Sequence, residues 1–406
     1  MKLLFDPEKI LLAKKQLKKA RFQLKKPRTT TGLYTARPFI ETPQIVKYFK
    51  TINKKNYRSF SNDYNYHLSW IRDTIKISHY HLLQKDAPAL LLLTHNLFDY
   101  LHNNQELMQK VINKKGKLNH KTDTLCPRLS PLTLEPVPAD HYKSLQLDMA
   151  DILKLLANTQ TLRLNVFRNN KDAQIVQLFI NFLIRWDYSM TGKIKGDFGI
   201  WEEGTGKNKA QPEIHTSTIA TMLLAFQEIN NLRINSTLFK IPRTHLARGK
   251  KLLSEHLKKY GESKTRYADL TLLIILYEHL TAKHPLLTKT QEKLILTRAK
   301  LLERERGLTR YLAQKRNKLI ETDDYNMKKE HAAEWPLGYC YLALIYYHKK
   351  EFREAQRCLD RLEHLCFSEN ALPEAYYGKT PETTPVKSLT WANALYLSLA
   401  LKSGYK

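Results

Sequence analysis

An all-α fold follows from three observations on the sequence. Apolar residues recur at three- and four-residue spacing through most of the chain. The strict alternation of a half-buried strand is nearly absent. Glycine is scarce, 13 residues in 406, so few places need unusual backbone freedom. The periodic stretches give about a dozen helices in pairs, with no solenoid repeat of roughly 34 or 40 residues. An all-α body of this size either stacks as a solenoid or closes into a ring, and periodicity leaves both open.

The elements follow in chain order. Residues 1–30 read as a basic amphipathic helix packed on the outside of the body. Ile10, Leu11, Leu17 and Ala20 form its stripe, and Lys14, Lys15, Lys18, Lys19 and Lys25 are solvated around it. Pro27 to Gly32 is a break. Further helices are expected near 67–83, 88–111, 144–158, 171–188, 215–231, 245–260, 265–280, 287–304, 332–347, 351–366 and 388–402, many bounded by Ser, Thr, Asp, Asn or Pro. The expected organisation is a basic extension, 1–55, packed on one large domain, 56–406.

Composition narrows the class. A chain of this length buries a large core, and 42% hydrophobic with 26% charged residues is ordinary globular composition. No run of about 18 apolar residues exists, so no transmembrane helix is expected. Asp6 and Pro7 interrupt the place where a signal peptide needs an apolar core, so a cytoplasmic location is expected. The cysteines, Cys126, Cys340, Cys358 and Cys366, form no CxxC pair and have no zinc spacing. Cys340 and Cys358 read as buried thiols, which suits a reducing compartment. The formal net charge of +28 is spread widely with no nucleic-acid motif, so a solvated basic surface is expected, without a specific nucleic-acid partner.

The unusual residues concentrate in loops. Of five tryptophans, Trp70, Trp201, Trp335 and Trp391 stand beside charged or polar residues at loops or helix starts, whereas Trp186 is less informative. An aromatic ring packs on the apolar C–H face of a pyranose, and adjacent charged groups take its hydroxyls. The stretch 196–204, GDFGIWEEG, holds three of the glycines and places Glu202 and Glu203 behind Trp201. Burial beside the indole would raise the Glu202 carboxyl and keep it protonated near neutral pH. Trp70-Ile71-Arg72-Asp73 puts a cation beside an anion, a clamp for a diol or an ion pair at a helix start. Leu145-Gln146-Leu147-Asp148 lines a site or caps locally. Glu334 either lines a site or serves as a helix N-terminal acid.

Taken in order, these stretches resemble glycoside hydrolase family 15, the glucoamylases. They also resemble the related module at the N-terminus of the phosphorylase kinase α and β subunits. The resemblance covers roughly residues 60–402 and implies an (α/α)6 barrel with its site in loops at one end. It implies that Arg72 and Asp73, with Trp70, hold the terminal glucose, and that Gln146 and Asp148 line the sugar site. Glu202 would be the general acid, with Trp201 and Glu203 beside the substrate. Gly307-Leu308-Thr309-Arg310-Tyr311 matches an arginine-containing loop, and Glu334-Trp335-Pro336-Leu337 leans toward the phosphorylase kinase branch. Arg310, Glu334 and Trp335 would therefore line the site. Leu372-Pro373-Glu374-Ala375-Tyr376-Tyr377, followed by Ser388-Leu389-Thr390-Trp391, makes Glu374 the general base. Ala375 departs from the usual glutamine.

The implied activity is inverting hydrolysis at the non-reducing end of an α-glucan or small α-glucoside. No metal or organic cofactor is needed, since carboxyl groups supply the proton transfers. The rival reading is a non-catalytic, sugar-binding regulatory module.

Overall fold

A computed structural model of the chain describes residues 3–21, 33–35, 68–131, 134–137, 145–186, 196–202, 211–230, 232–234, 237–315, 318–321 and 331–405. Thirteen α-helices lie among them: α1 (Pro7–Ala20), α2 (Ile71–Gln84), α3 (Ala87–Asn103), α4 (Gln105–Asn113), α5 (Asp151–Thr161), α6 (Asn170–Arg185), α7 (Thr216–Asn230), α8 (Arg243–Tyr260), α9 (Thr271–Thr281), α10 (Lys289–Lys300), α11 (Leu337–His348), α12 (Phe352–Arg361) and α13 (Thr390–Lys402). The chain forms two compact units. One, here the Glu202 unit, comprises Phe22–Tyr34 and Ile40–Glu255. The other, the Glu374 unit, comprises Met1–Arg21, Thr35–Phe39 and His256–Lys406. The division falls inside α8, which no change of composition announces.

In the Glu202 unit, α5 packs on α7, α2 on α3 and α5, and α6 on α3 and α4. Helix α7 is buried along almost its whole length, from Thr216 to Ile229. In the Glu374 unit, α11 packs between α9, α12 and α13, and α1 lies on α13. Helices α9, α11 and α13 are buried all round, the pattern of helices inside a body. Helix α10, with four buried residues, is a surface helix. Local sequence sets the helix starts. Asn169 accepts from Lys171 N at 2.9 Å, and Asp86 accepts from Ala89 N at 3.2 Å. Thr288 and Gln291 form a capping box on α10. Each such cap is worth about 1 kcal/mol.

The helical boundaries differ from expectation at helix breaks, at a 3-10 turn and where short strands intervene. Residues 88–111 are two helices, broken at Asn104, not one. Residue 144 is outside the described set, and a 3-10 turn, Leu147–Ala150, precedes α5. Strands Ser69–Trp70 (β1) and Arg128–Leu129 (β2) pair, with Trp70 opposite Arg128. Arg233–Ile234 (β3) pairs with Thr237–Leu238 (β4). Ala268–Asp269 (β5), Leu308–Thr309 (β6), Tyr311–Lys315 (β7), Lys318–Glu321 (β8) and Glu334–Trp335 (β9) complete the strands, with sheet order β5-β7-β8 and a separate pair β6-β9. Strands of two residues carry too little alternation to register as a pattern. The β7-β8 hairpin hid because Leu319 and Ile320 are both exposed.

Helix α1 buries Ile10, Ala13, Leu17 and Ala20, while Leu11 is 69% exposed, so Leu11 lies outside the expected stripe. Lys14, Lys15, Lys18 and Lys19 are solvated. Lys25 and the break at 27–32 lie outside the described residues, as does Glu203. Cys340, Cys358 and Cys366 are buried free thiols. Among the described residues, no helix is long and apolar enough to cross a membrane.

Candidate active site

In the Glu202 unit, three separated stretches meet. The first is the β1–α2 junction. Pairing of β1 with β2 holds Trp70 extended, and Ile71 N at the helix start donates to Pro127 O at 2.9 Å. Arg72 and Asp73 therefore stand in the first turn of α2. Arg72 Nε donates to Asp73 Oδ1 at 2.9 Å, and Arg72 Nη1 donates to Glu202 Oε1 at 2.9 Å. The same Nη1 also donates to the carbonyl of Ile200. The Trp70 ring has the Arg72 guanidinium 5.4 Å from its centroid and that of Arg128 at 5.1 Å. Both distances fall within cation–π range.

The second stretch is the loop ending in Trp201 and Glu202. It is built on Asp197, whose backbone pairs with Glu213 in both directions, at 3.0 and 2.9 Å. The Asp197 carboxylate accepts from Leu147 N at 3.0 Å, Gly199 N at 3.2 Å and Thr218 Oγ1 at 3.1 Å. One buried side chain thus joins the loop, the 145–148 segment and the first turns of α7. The glycines are required by contact. A Cβ on Gly196 would meet Glu213 O at 2.0 Å, and one on Gly199 would meet the His215 ring at 2.9 Å. Both residues have positive φ, +104° and +67°. Glu202 itself takes φ +65°, a conformation that a non-glycine residue adopts at a cost. Its N–H donates to Gly199 O at 3.0 Å, closing the turn.

The third stretch carries Gln146 and Asp148. Phe198 N donates to Leu145 O at 3.2 Å, which ties it to the loop. Gln146 and Asp148 are both buried. The Gln146 amide lies close enough to Glu202 to favour its ionised form, without a hydrogen bond of good geometry.

These placements set the electrostatics. Burial pushes Glu202 above the usual carboxylate range, opposed by Arg72, Arg128 and Gln146. Burial pushes Asp148 up to about 7, with Asp197 and Asp151 adding and Arg72 and Lys76 opposing. Asp197 is also raised by burial, against its donors and His215. Burial alone would lower Arg72, but Asp73, Glu202 and Asp148 together hold it above its ordinary value. Below them Lys76 pairs with Asp151, which burial would raise but which Lys154 and Lys76 hold low.

The remaining sequence-predicted residues belong to the Glu374 unit. Glu374 is buried in a loop whose backbone is fixed by Glu374 N to Val386 O at 2.9 Å and Leu389 N to Leu372 O at 2.8 Å. Asn393 of α13 clasps the loop's start, with Oδ1 accepting from Leu372 N at 3.3 Å and Nδ2 donating to Leu372 O at 3.2 Å. Trp391 Nε1 donates to Tyr341 Oη at 3.1 Å inside the core. The Arg310 guanidinium lies 5.2 Å from the Trp335 ring centroid, and both residues are buried. Glu334 is buried with both oxygens engaged by backbone. Oε2 accepts from Arg306 N at 2.7 Å and Oε1 from Lys379 N at 3.0 Å. Its main chain also pairs with Tyr376. The observed work of Glu334 is to fasten two loops, not to cap a helix.

Arg128 and Asp197 also belong to this cluster, though the expectations from sequence do not include them. Arg128 is buried against Trp70 only through the β1-β2 register, and nothing local marks it. Asp197 had a signal: an acid two residues before a glycine, the spacing of the side-chain turn it forms.

No family profile matches the chain. Over 296 residues it is 24% identical to the probable phosphorylase b kinase regulatory subunit alpha of Drosophila melanogaster, a match spanning 66% of this chain and 23% of that protein. In structure it is similar to the glucoamylase from Saccharomycopsis fibuligera, with TM-score 0.65 and 13% identity, covering 99% of this chain and 96% of the other. It is also similar to a glycosidase variant solved in complex with glucose, with TM-score 0.62 and 12% identity, covering 99% and 100%. The fold is therefore the all-α, (α/α)6 fold of the glucoamylases.

Proposed function

We propose that the protein is an inverting glycoside hydrolase that releases glucose from the non-reducing end of an α-glucan or small α-glucoside. The observation that carries this reading is the setting of Glu202. Its carboxyl is 8% exposed, lies directly after Trp201, and is raised by burial beside the Arg72–Asp73 pair. Such a group is suited to donate a proton to a glycosidic oxygen. Glu374 is the proposed general base, by its match to the glucoamylase sequence pattern. Inversion asks for carboxyl groups about 6.5–9.5 Å apart, with water between one of them and the anomeric carbon. Trp70, Arg72, Asp73, Gln146, Asp148 and Trp201 are proposed sugar contacts, with Arg310 and Trp335. For Glu334 the fastening contacts argue against a primary role in binding. No cofactor enters this chemistry.

The test is glucose release from maltose, maltotriose, isomaltose, trehalose and glycogen, with the product anomer followed by NMR. β-Glucose appearing first, lost in both Glu202→Gln and Glu374→Gln, is the expected result. Release that survives both substitutions would overturn the assignment.

Two observations favour a second reading. Arg72 already engages Glu202, and the relative found by sequence is a regulatory subunit. A sugar-binding module would bind glucose or maltose without turning any of the panel over.

A further inference from the structure

Three acids surround one guanidinium in the Glu202 unit. Asp73 takes Nε of Arg72 and Glu202 takes Nη1, each at 2.9 Å. Asp148 also acts on Arg72 through its charge, but neither of its oxygens has a hydrogen-bond partner among the described residues, although the residue is 2% exposed. Two nearby donors are committed elsewhere. Lys76, one turn along α2 from Arg72, pairs with Asp151. Leu147 N, beside Asp148 in the chain, donates to Asp197, which His215 and Thr218 also face. Asp151 and Asp197 carry the same sign as Asp148 and repel its charge. A buried carboxylate without a donor lacks the compensation that burial of a charge demands, whereas a carboxylic acid there is neutral.

We propose that in the resting protein the acidic proton of this cluster sits on Asp148, while Glu202 is ionised against Arg72, and that a sugar hydroxyl taking Arg72 Nη1 from Glu202, with the guanidinium staying beside Asp148, lets the proton pass to Glu202. The second half rests on the hydrolase reading, and the first does not. The exchange is neutral overall. An O–H bond breaks on Asp148, leaving a carboxylate, and one forms on Glu202, leaving a carboxylic acid. Arg72, which already acts on Asp148, offsets its new charge. The order of the two groups agrees with their surroundings. Glu202 has Arg72, Arg128 and Gln146 against its protonation, and Asp148 has Arg72 and Lys76 countered by Asp197 and Asp151. Asp148 is thereby a proton store that loads the acid only when ligand is present.

Infrared difference spectroscopy of the ligand-free protein between about pH 5 and pH 9 tests the resting state, since a proton held near neutrality is seen directly. The carbonyl band of a protonated carboxyl should disappear as pH rises through about 7 in wild type and in Glu202→Gln, and be missing from Asp148→Asn. Loss of the band in Glu202→Gln, or its survival in Asp148→Asn, overturns the proposal. The Glu202→Gln arm decides even if Asp148→Asn folds poorly. With isotope-labelled aspartate, saturating maltose should replace the isotope-shifted band by an unshifted one. A shifted band that persists in a protein shown to bind maltose overturns the transfer. Neither spectrum requires turnover, so absence of glucose release would count against the hydrolase reading and leave the resting assignment standing.

Discussion

Arg72 and Glu202 form a buried ion pair, Nη1 to Oε1 at 2.9 Å, with side-chain exposures of 11% and 8%. The same guanidinium serves Asp73, so one cation holds the start of α2 to the end of the Trp201 loop. Glu202→Gln keeps an acceptor for Arg72 and should fold with little change in denaturant midpoint. If the protein is the proposed hydrolase, its turnover should fall about 10²–10⁴-fold, the usual contribution of a general acid. Arg72→Met leaves two buried carboxylates without their cation and should cost about 3–5 kcal/mol in urea unfolding. Equal midpoints for the two variants would contradict this account.

Asp148 makes a pH prediction with a definite sign. Its folded-state value of about 7 lies above its ordinary value of 3.8. The native state therefore binds a proton that the unfolded state has released across that window. The resulting stabilisation is present in full below the ordinary value and lost as pH rises through about 7. Asp148→Asn removes this dependence. Relative to wild type, the variant should gain stability between about pH 4 and pH 8, on the order of 4 kcal/mol at most. Parallel stability curves for the two proteins would show that Asp148 does not titrate in that range.

Much of this was legible in the sequence, for physical reasons that differ by residue. Helices α7, α9, α11 and α13 were visible because burial on all sides demands long apolar runs. Arg72, Asp73 and Glu202 stood out because charged residues beside tryptophan are costly to bury without use. Arg128 was invisible because its place depends on a two-residue strand register. Glu334 drew attention for its charge, but only the contacts of Arg306 and Lys379 show what the charge does. The β7-β8 hairpin, with exposed apolar residues in succession, resembles neither period.

The loop glycines give a graded pair of variants. Gly199→Ala must hold alanine at φ +67° and move the His215 ring from 2.9 Å, and should cost about 1–2 kcal/mol. Gly196→Ala collides with the backbone oxygen of Glu213 at 2.0 Å, so the Asp197–Glu213 pairing must open. It should be the worse of the two in thermal melts, and should also lose the proposed sugar binding. A reversed order would mean the loop relaxes in a way these contacts do not describe.

Glu334→Ala separates fastening from binding. Two part-buried backbone donors, Arg306 N and Lys379 N, would lose their charged acceptor, at about 2–4 kcal/mol together. The expected readout is a lower unfolding midpoint, with Glu334→Gln retaining part of it. A raised KM at unchanged stability would instead favour direct contact with substrate.

The Asp197 clasp also sets how this loop exchanges with solvent. Its amides, Leu147 N–H and Gly199 N–H, end on one carboxylate that Thr218 shares from inside α7. Neither amide can open to water without loosening the start of a helix buried along almost its whole length. In hydrogen–deuterium exchange both positions should be protected with the helix interior rather than with neighbouring loops. The irregular segment carrying Trp201 and Glu202 should therefore open with the free energy of the core helix, and the Glu202 carboxyl is held as firmly as the protein is folded.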